Sequence, residues 1–355
     1  MPRFLPEPLH TANARAHTGI LLVNLGSPAT PTSPALRTFL RQFLSDPRVI
    51  ELPKLVWWPI LHGAILTTRP AKSARKYASI WTDKGAPLKE HTAWQATAVD
   101  AVLDDPLLTV AWAMRYGTPD IATVLNALRA RCGRILIVPL YPQFSASTSA
   151  STMDEVARAM LRWRNQPELR FVRSFGADPG YINALAKHVR EHWEAHGQGE
   201  CLVMSFHGLP RRMVELGDPY QAECLETAHL LQQALALPDD KVRVTFQSRF
   251  GRAAWLQPYT QPTIEALASS GIKQIDVICP GFVADCLETL EEIALLCRDA
   301  FLTRGGKAFH YIPCLNDDPD WISALAALIH QHLGGWLPPA QEGRFQFRNS
   351  VDLSR

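Results

Sequence analysis

Three apolar segments of this chain end in a characteristic way, and each ending recurs later in the same order. Gly19-Ile-Leu-Leu-Val-Asn-Leu-Gly26 is echoed by Cys201-Leu-Val-Met-Ser-Phe-His-Gly208. Val110-Ala-Trp-Ala-Met-Arg-Tyr-Gly117 is echoed by Val244-Thr-Phe-Gln-Ser-Arg-Phe-Gly251, and Ile135-Leu-Ile-Val-Pro-Leu-Tyr-Pro-Gln-Phe144 by Ile275-Asp-Val-Ile-Cys-Pro-Gly-Phe282. Short apolar runs match by chance, so the shared order carries more weight than any single pair. Between these runs lie longer helical patterns, the alternation of a parallel sheet with crossover helices. The repeat predicts an α/β chain of two related halves with a boundary near residues 175–182.

The halves are unequal. Gly26 to Gly117 spans 91 residues, whereas Gly208 to Gly251 spans 43. The excess, at about 30–85, carries Trp57, Trp58, Arg69 and Tyr77. A long insertion at the ligand edge of an α/β sheet is read as a lid over the site; the plainer alternative is a helical hairpin that extends the core. A last amphipathic helix is expected from Pro319 to Leu333, packing back on the first half, and the chain beyond Gly334-Gly335 is expected to fray.

Composition narrows the function classes. A chain of 355 residues is long enough for two domains, each with its own core. Its 47% hydrophobic and 20% charged residues mark a soluble globular protein, and a net charge of +2 without a Lys/Arg tract argues against a nucleic-acid partner. The first residues lack the apolar core of a signal peptide. The greasiest run, 55–66, is broken by Pro59 and Gly63 and is too short to cross a bilayer. A cytoplasmic protein is expected, with peripheral membrane contact through 55–66 as a hypothesis. The seven cysteines contain no CxxC pair, which fits buried free thiols better than disulfides or a zinc knuckle.

The chemistry-bearing segment is Cys279-Pro-Gly-Phe-Val-Ala-Asp-Cys-Leu-Glu-Thr-Leu-Glu-Glu292. An apolar run stops at Pro280-Gly281 and an acidic helix follows, so Glu288 and Glu292 stand one turn apart at the carboxyl end of a strand, where open α/β sheets keep ligand crevices. His207 ends another strand in the same half. Asp285-x-x-Glu288 also has the spacing of a capping box, which explains Glu288 as a helix start but leaves Glu292 unexplained. An imidazole facing two carboxylates serves a cation or a proton relay; a backbone-bonded histidine at a helix entry is the alternative for His207. The stripe His188, His192 and His196 imitates a metal site, yet it lacks acidic partners and is read as a solvated face. Tyr141 to Thr148 and Gly26 to Thr30 are hydroxyl-rich turns suited either to an anion or to helix capping. Arg69, Arg115 and Arg249 are candidate carboxylate clamps, and Trp255 offers either a flat binding face or core packing.

Five segments in order resemble the ferrochelatase family: Leu21-Leu-Val-Asn-Leu-Gly-Ser-Pro28, Tyr141-Pro-Gln-Phe-Ser-Ala-Ser-Thr148, Ser205-Phe-His-Gly-Leu-Pro210, Gln247-Ser-Arg-Phe-Gly251 with Trp255, and Pro280-Gly-Phe-Val-Ala-Asp-Cys-Leu-Glu-Thr289. The resemblance implies two Rossmann-like domains, 17–178 and 179–316, flanking a porphyrin cleft, with a helix at 317–340 returning to the first. It implies ferrous iron insertion into protoporphyrin IX to give protohaem, with the coproporphyrin III enzyme or a non-catalytic haem-binding protein as alternatives. It further implies catalytic roles for His207, Glu288 and Glu292, metal ligation by His207 and Glu288, and porphyrin contacts from Arg69, Tyr77, Arg115, Tyr141 and Trp255. Animal members carry histidine where this chain has Cys286, and an iron–sulfur ligand where it has Ala146. No resident cofactor or cluster is expected, and iron enters as substrate.

Overall fold

β1 (Thr18–Gly26) is buried along nearly its whole length, as a strand covered on both faces must be, and its sequence is accordingly apolar without alternation. It lies at the centre of a parallel sheet. The computed structural model describes residues 4–7, 17–251 and 253–337. β1 is flanked by β2 (Leu108–Tyr116) and β3 (Arg134–Pro139), with β4 (Glu168–Phe171) at the edge, in the order β2-β1-β3-β4. The second sheet repeats the plan with β5 (Cys201–His207), β6 (Val242–Gln247), β7 (Gln274–Ile278) and β8 (Ala308–Tyr311), in the order β6-β5-β7-β8. The expected α/β class with two similar Rossmann-like sheets is borne out. In each sheet the chain reverses direction across the strand that opens the half, so the switch points, where such sheets bind ligands, lie at the ends of β1/β3 and β5/β7.

Each half buries an outer layer of its own, around Leu21, Ile137 and Trp163 in one and Val203, Ile264 and Phe301 in the other. The expectation of two independent cores nevertheless fails on the inner side. Ile20, Leu136, Met204, Phe206, Trp321 and Ile329 belong to one continuous apolar cluster that spans both sheets. The returning Pro319–His332 helix packs between the Pro179–His196 and Pro87–Leu103 helices. Gln95, on the last of these, donates to the carbonyls of Val283 (3.1 Å) and Asn316 (2.7 Å), tying the first half to the second. Fraying does not begin at Gly335. Trp336 is buried, and its indole N–H donates to Glu168. The remainder of the 317–340 segment and the tail beyond it lie outside the described residues.

The insertion consists of helices at Ser33–Leu44 and Lys54–Ile60, a π-helical turn at Leu61–Ile65 and a helix at Leu66–Ala78. Pro59 and Pro70 bracket the π turn, and each removes a backbone donor from the helical ladder. The irregular turn accommodates that loss. The base of the insertion is pinned by Asp46, which accepts from Arg115 (2.5 Å), Tyr116 (2.8 Å) and Ser151 (2.6 Å), all of them buried. Burial works against ionisation of Asp46, but Ser151, the Arg48 amide, Tyr116 and Arg115 together hold its carboxyl below the ordinary range. Asp46→Ala leaves the Arg115 guanidinium buried without its anion and should cost about 3–5 kcal/mol, read from urea unfolding midpoints. A depressed carboxyl stabilises the fold above its unfolded value, so the gap between wild type and variant should persist down to about pH 4 and close below it as Asp46 protonates.

Candidate active site

Three strand ends of the second sheet converge on the acidic helix. β5 delivers His207, whose Nδ1 lies 2.6 Å from the Gly208 carbonyl. A carbonyl only accepts, so Nδ1 carries the hydrogen and Nε2 presents a lone pair. Gly208 is obligatory at this point. A Cβ there would sit 2.5 Å from the Gln247 carbonyl and 3.0 Å from the Trp255 ring. Trp255 is therefore a wall against the histidine loop, buried, and packed edge-on to Phe250 at 5.0 Å. The Arg69 guanidinium, from the insertion, covers the Phe250 ring at 5.1 Å.

β6 supplies Gln247 and Ser248. The Gln247 side chain accepts from Ser205 (2.6 Å) and donates to the Glu288 carbonyl (2.8 Å), bridging β5 to the acidic helix. Ser248 has a left-handed backbone, φ 66°. That conformation turns both its amide and its hydroxyl onto the Glu292 carboxylate, each at 2.6 Å.

The acidic helix is π-helical from Glu288 to Cys297, a form that recurs at functional sites. A π turn occupies the corresponding place after β3, at Ala146–Ala150. The capping-box reading is overturned. Asp285 accepts from Thr289 (2.8 Å), Asn316 (2.6 Å) and Tyr311, while the Cys286 amide goes to Thr289. Thr289 thus does the local bonding, and Glu288 is left to face the site. Burial, reinforced by the neighbouring Glu288, pushes the Glu292 carboxyl above its ordinary 4.5, against the Ser248 hydrogen bonds and the attraction of His207. Burial and the charge of Glu288 likewise raise the Tyr77 phenol and the Cys286 thiol. Tyr77, Cys286 and Glu288 line one narrow cavity with Gly26 and Ser27 of the β1 end. The insertion closes over it through Lys76, bonded to Glu291 at 2.9 Å, and through Leu36, Ala74 and Tyr77, which pack on Leu287.

The structure thus brings together His207, Glu288, Glu292, Tyr77, Trp255 and, through Phe250, Arg69. It does not bring Arg115 to them as a free clamp, because its guanidinium is spent on Asp46 and Ser151. The Tyr141 hydroxyl is buried in that same group, where burial and Tyr116 push its phenol far up. Arg249 is exposed, with its guanidinium over the Tyr259 ring. The turn after Tyr141 is no anion cradle, since the Phe144 and Ala146 amides already donate to Glu223 (2.7 Å) and Asp218 (2.8 Å). Gln247 and Ser248 were quoted in the sequence only as parts of a repeat. The signal for them was the difference between halves: they stand where the first half has apolar Ala113 and Met114.

The ferrochelatase family model matches residues 17–333. The chain belongs to the ferrochelatase family. A ferrochelatase from Azoarcus sp. (strain BH72) is 61% identical, with 97% of this chain and 96% of that one covered. One from Aromatoleum aromaticum (strain DSM 19018 / LMG 30748 / EbN1) is 58% identical, covering 95% and 93%. SirB from Bacillus subtilis with Fe3+ superposes with a TM-score of 0.54 over 89% of this chain and 95% of that one, at 13% identity, which speaks to the fold alone. As a ferrochelatase, the chain is a metal-inserting lyase that places iron in a porphyrin for haem synthesis.

Gln247→Leu should leave the Ser205 hydroxyl and the Glu288 carbonyl without that partner and cost about 1–3 kcal/mol in unfolding experiments, with loss of iron insertion. Glu292 holds its proton more firmly in the folded than in the unfolded chain. Folding stability is therefore lost as pH rises through and above its ordinary value. Glu292→Gln escapes that loss, so its urea midpoint should gain on wild type as the pH rises above about 4.

Proposed function

We propose that the site inserts ferrous iron into protoporphyrin IX, with His207 on one face of the macrocycle and Glu288 and Glu292 on the other. The observation that carries this reading is an imidazole near enough to attract the half-buried Glu292 carboxylate, on a strand that Gln247 ties to the helix bearing Glu288 and Glu292. Metallation requires the porphyrin to lose two pyrrole protons while the iron sheds water. His207 takes a proton or presents the metal through Nε2. Glu292, with its raised affinity for a proton, suits a relay that accepts and releases protons. Glu288 supplies the negative charge that favours a dication. Trp255 and Tyr77 are apolar walls against which a flat ring can be bent, exposing nitrogen lone pairs, and remote contacts supply that strain. Arg69, Arg115 and Tyr141 complete the proposed porphyrin surroundings, the last two as supports of the first sheet's edge.

The 30–85 insertion is the lid in this reading, supported by its contacts with Glu291, Leu287 and Phe250. Its outer surface exposes Leu55, Val56, Trp58 and Ile60, a patch suited to lipid, and no helix among the described residues is long and apolar enough to cross a membrane. Flotation with liposomes should carry wild type and leave Leu55→Ser/Trp58→Ser behind. Buried free thiols at all seven cysteines fit a reducing, cytoplasmic setting. The reading includes no iron–sulfur cluster, which acid-labile sulfide accompanying iron in the purified protein would refute.

His207→Ala should lower kcat for iron insertion by about 100-fold or more, the usual weight of a positioned acid–base group. Retention of full activity would remove the mechanism. Protoporphyrin IX should turn over faster than coproporphyrin III, and the reverse order would reassign the substrate.

A further inference from the structure

The Pro179–His196 helix lays His192 beside two residues from neighbouring strands that its own sequence gives no hint of. Asp276 of β7 and His310 of β8 are direct partners in the sheet register. Asp276 is almost wholly buried, and one of its oxygens lies 3.0 Å from His310 Nδ1. Its other oxygen accepts from the Trp193 indole (2.6 Å) and the Gly199 amide (2.8 Å), so the carboxylate is locked in place. His192 Nε2 is buried without a hydrogen-bond partner. Ligand atoms of His192, Asp276 and His310 all lie within 4.8 Å of one another. His196 stacks on His192 at 4.3 Å and stands 6.1 Å from the His310 ring.

We propose that His192, Asp276 and His310 bind a borderline divalent transition-metal ion at a site separate from the cleft. Two imidazoles and a carboxylate are the donor set that Fe2+, Co2+ and Zn2+ share, whereas Ca2+ and Mg2+ prefer oxygen alone. Bond lengths of about 2.0–2.2 Å require the donors to draw in modestly, which side-chain rotation of His192 on its half-buried helix face supplies. Burial and the neighbouring His196, His310 and His188 imidazoles keep His192 neutral, the form that ligates. Trp193 and Gly199 orient the carboxylate from behind, as outer partners of metal ligands do. Asp276 pairs with Leu202 in the sheet, and His207 lies five residues farther along β5. The two sites are thus roughly 16 Å apart along the strand direction.

The test is Co2+ binding to the full chain, followed by equilibrium dialysis and by the visible ligand-field spectrum. Wild type should bind one equivalent more than His192→Ala. Alanine is the best helix former, so that variant should keep its fold, checked by circular dichroism. The affinity at this site should fall about tenfold or more in His192→Ala and in His310→Gln, while His207→Ala should retain the corresponding band. Iron insertion by His192→Ala should stay within about twofold of wild type. Unchanged stoichiometry and affinity in both His192→Ala and His310→Gln would overturn the proposal. So would a cobalt band that disappears with His207 alone, or an absence of cobalt uptake outside the cleft at millimolar metal.

Discussion

A single buried amide side chain holds the candidate site in register. Gln247 accepts from Ser205 inside the sheet and donates to the Glu288 carbonyl outside it, and its own carbonyl takes the Gly208 amide at 2.7 Å. A primary amide offers a strong acceptor and a strong donor about two ångströms apart without charge. A carboxylate in its place would repel Glu292, and an apolar residue would leave polar groups unmet. Through this residue the strand bearing the imidazole and the helix bearing the carboxylates share one frame.

Electrostatics then operate within that frame. Bringing two carboxylates into partial burial is costly, and the fold meets the cost unevenly. Glu292 receives two hydrogen bonds from Ser248 and still holds a proton more firmly than an ordinary glutamate, whereas Asp285 nearby is fully engaged by Thr289, Tyr311 and Asn316. The left-handed backbone at Ser248 is strained for a residue with a side chain. It is what points two donors at one carboxylate, so local strain goes into positioning a buried acid.

Much of this was legible in the residues. The ordered repeat exposed the two sheets because parallel strands buried on both faces keep a near-continuous apolar signature. Glu292 stood out because capping could not account for it. What escaped notice depended on long-range pairing. Nothing local says that Asp46 will claim Arg115 across 69 positions, or that Thr289 rather than Glu288 will satisfy the Asp285 turn. The histidine stripe was dismissed for want of acidic partners, yet His188 meets Asp318 and His192 meets Asp276 once the sheet is built. Trp336 looked like the start of a loose end, and only the folded edge of β4 shows the carboxylate that anchors it.

The continuous inner core also decides how such a molecule can breathe. Two lobes with separate cores can swing about a linker, since little apolar surface is exposed when they part. Here Ile20 and Met204 sit in one cluster, and Gln95 stitches the lobes together beside it. Jaw-like opening would wet that interior. In the proposed reading, admission of a flat, bulky guest and release of its heavier product fall to the helical flap, whose grip on the far wall is a lysine, an arginine over a ring and a few apolar contacts. On that reading, turnover is set in part by how readily that grip slips.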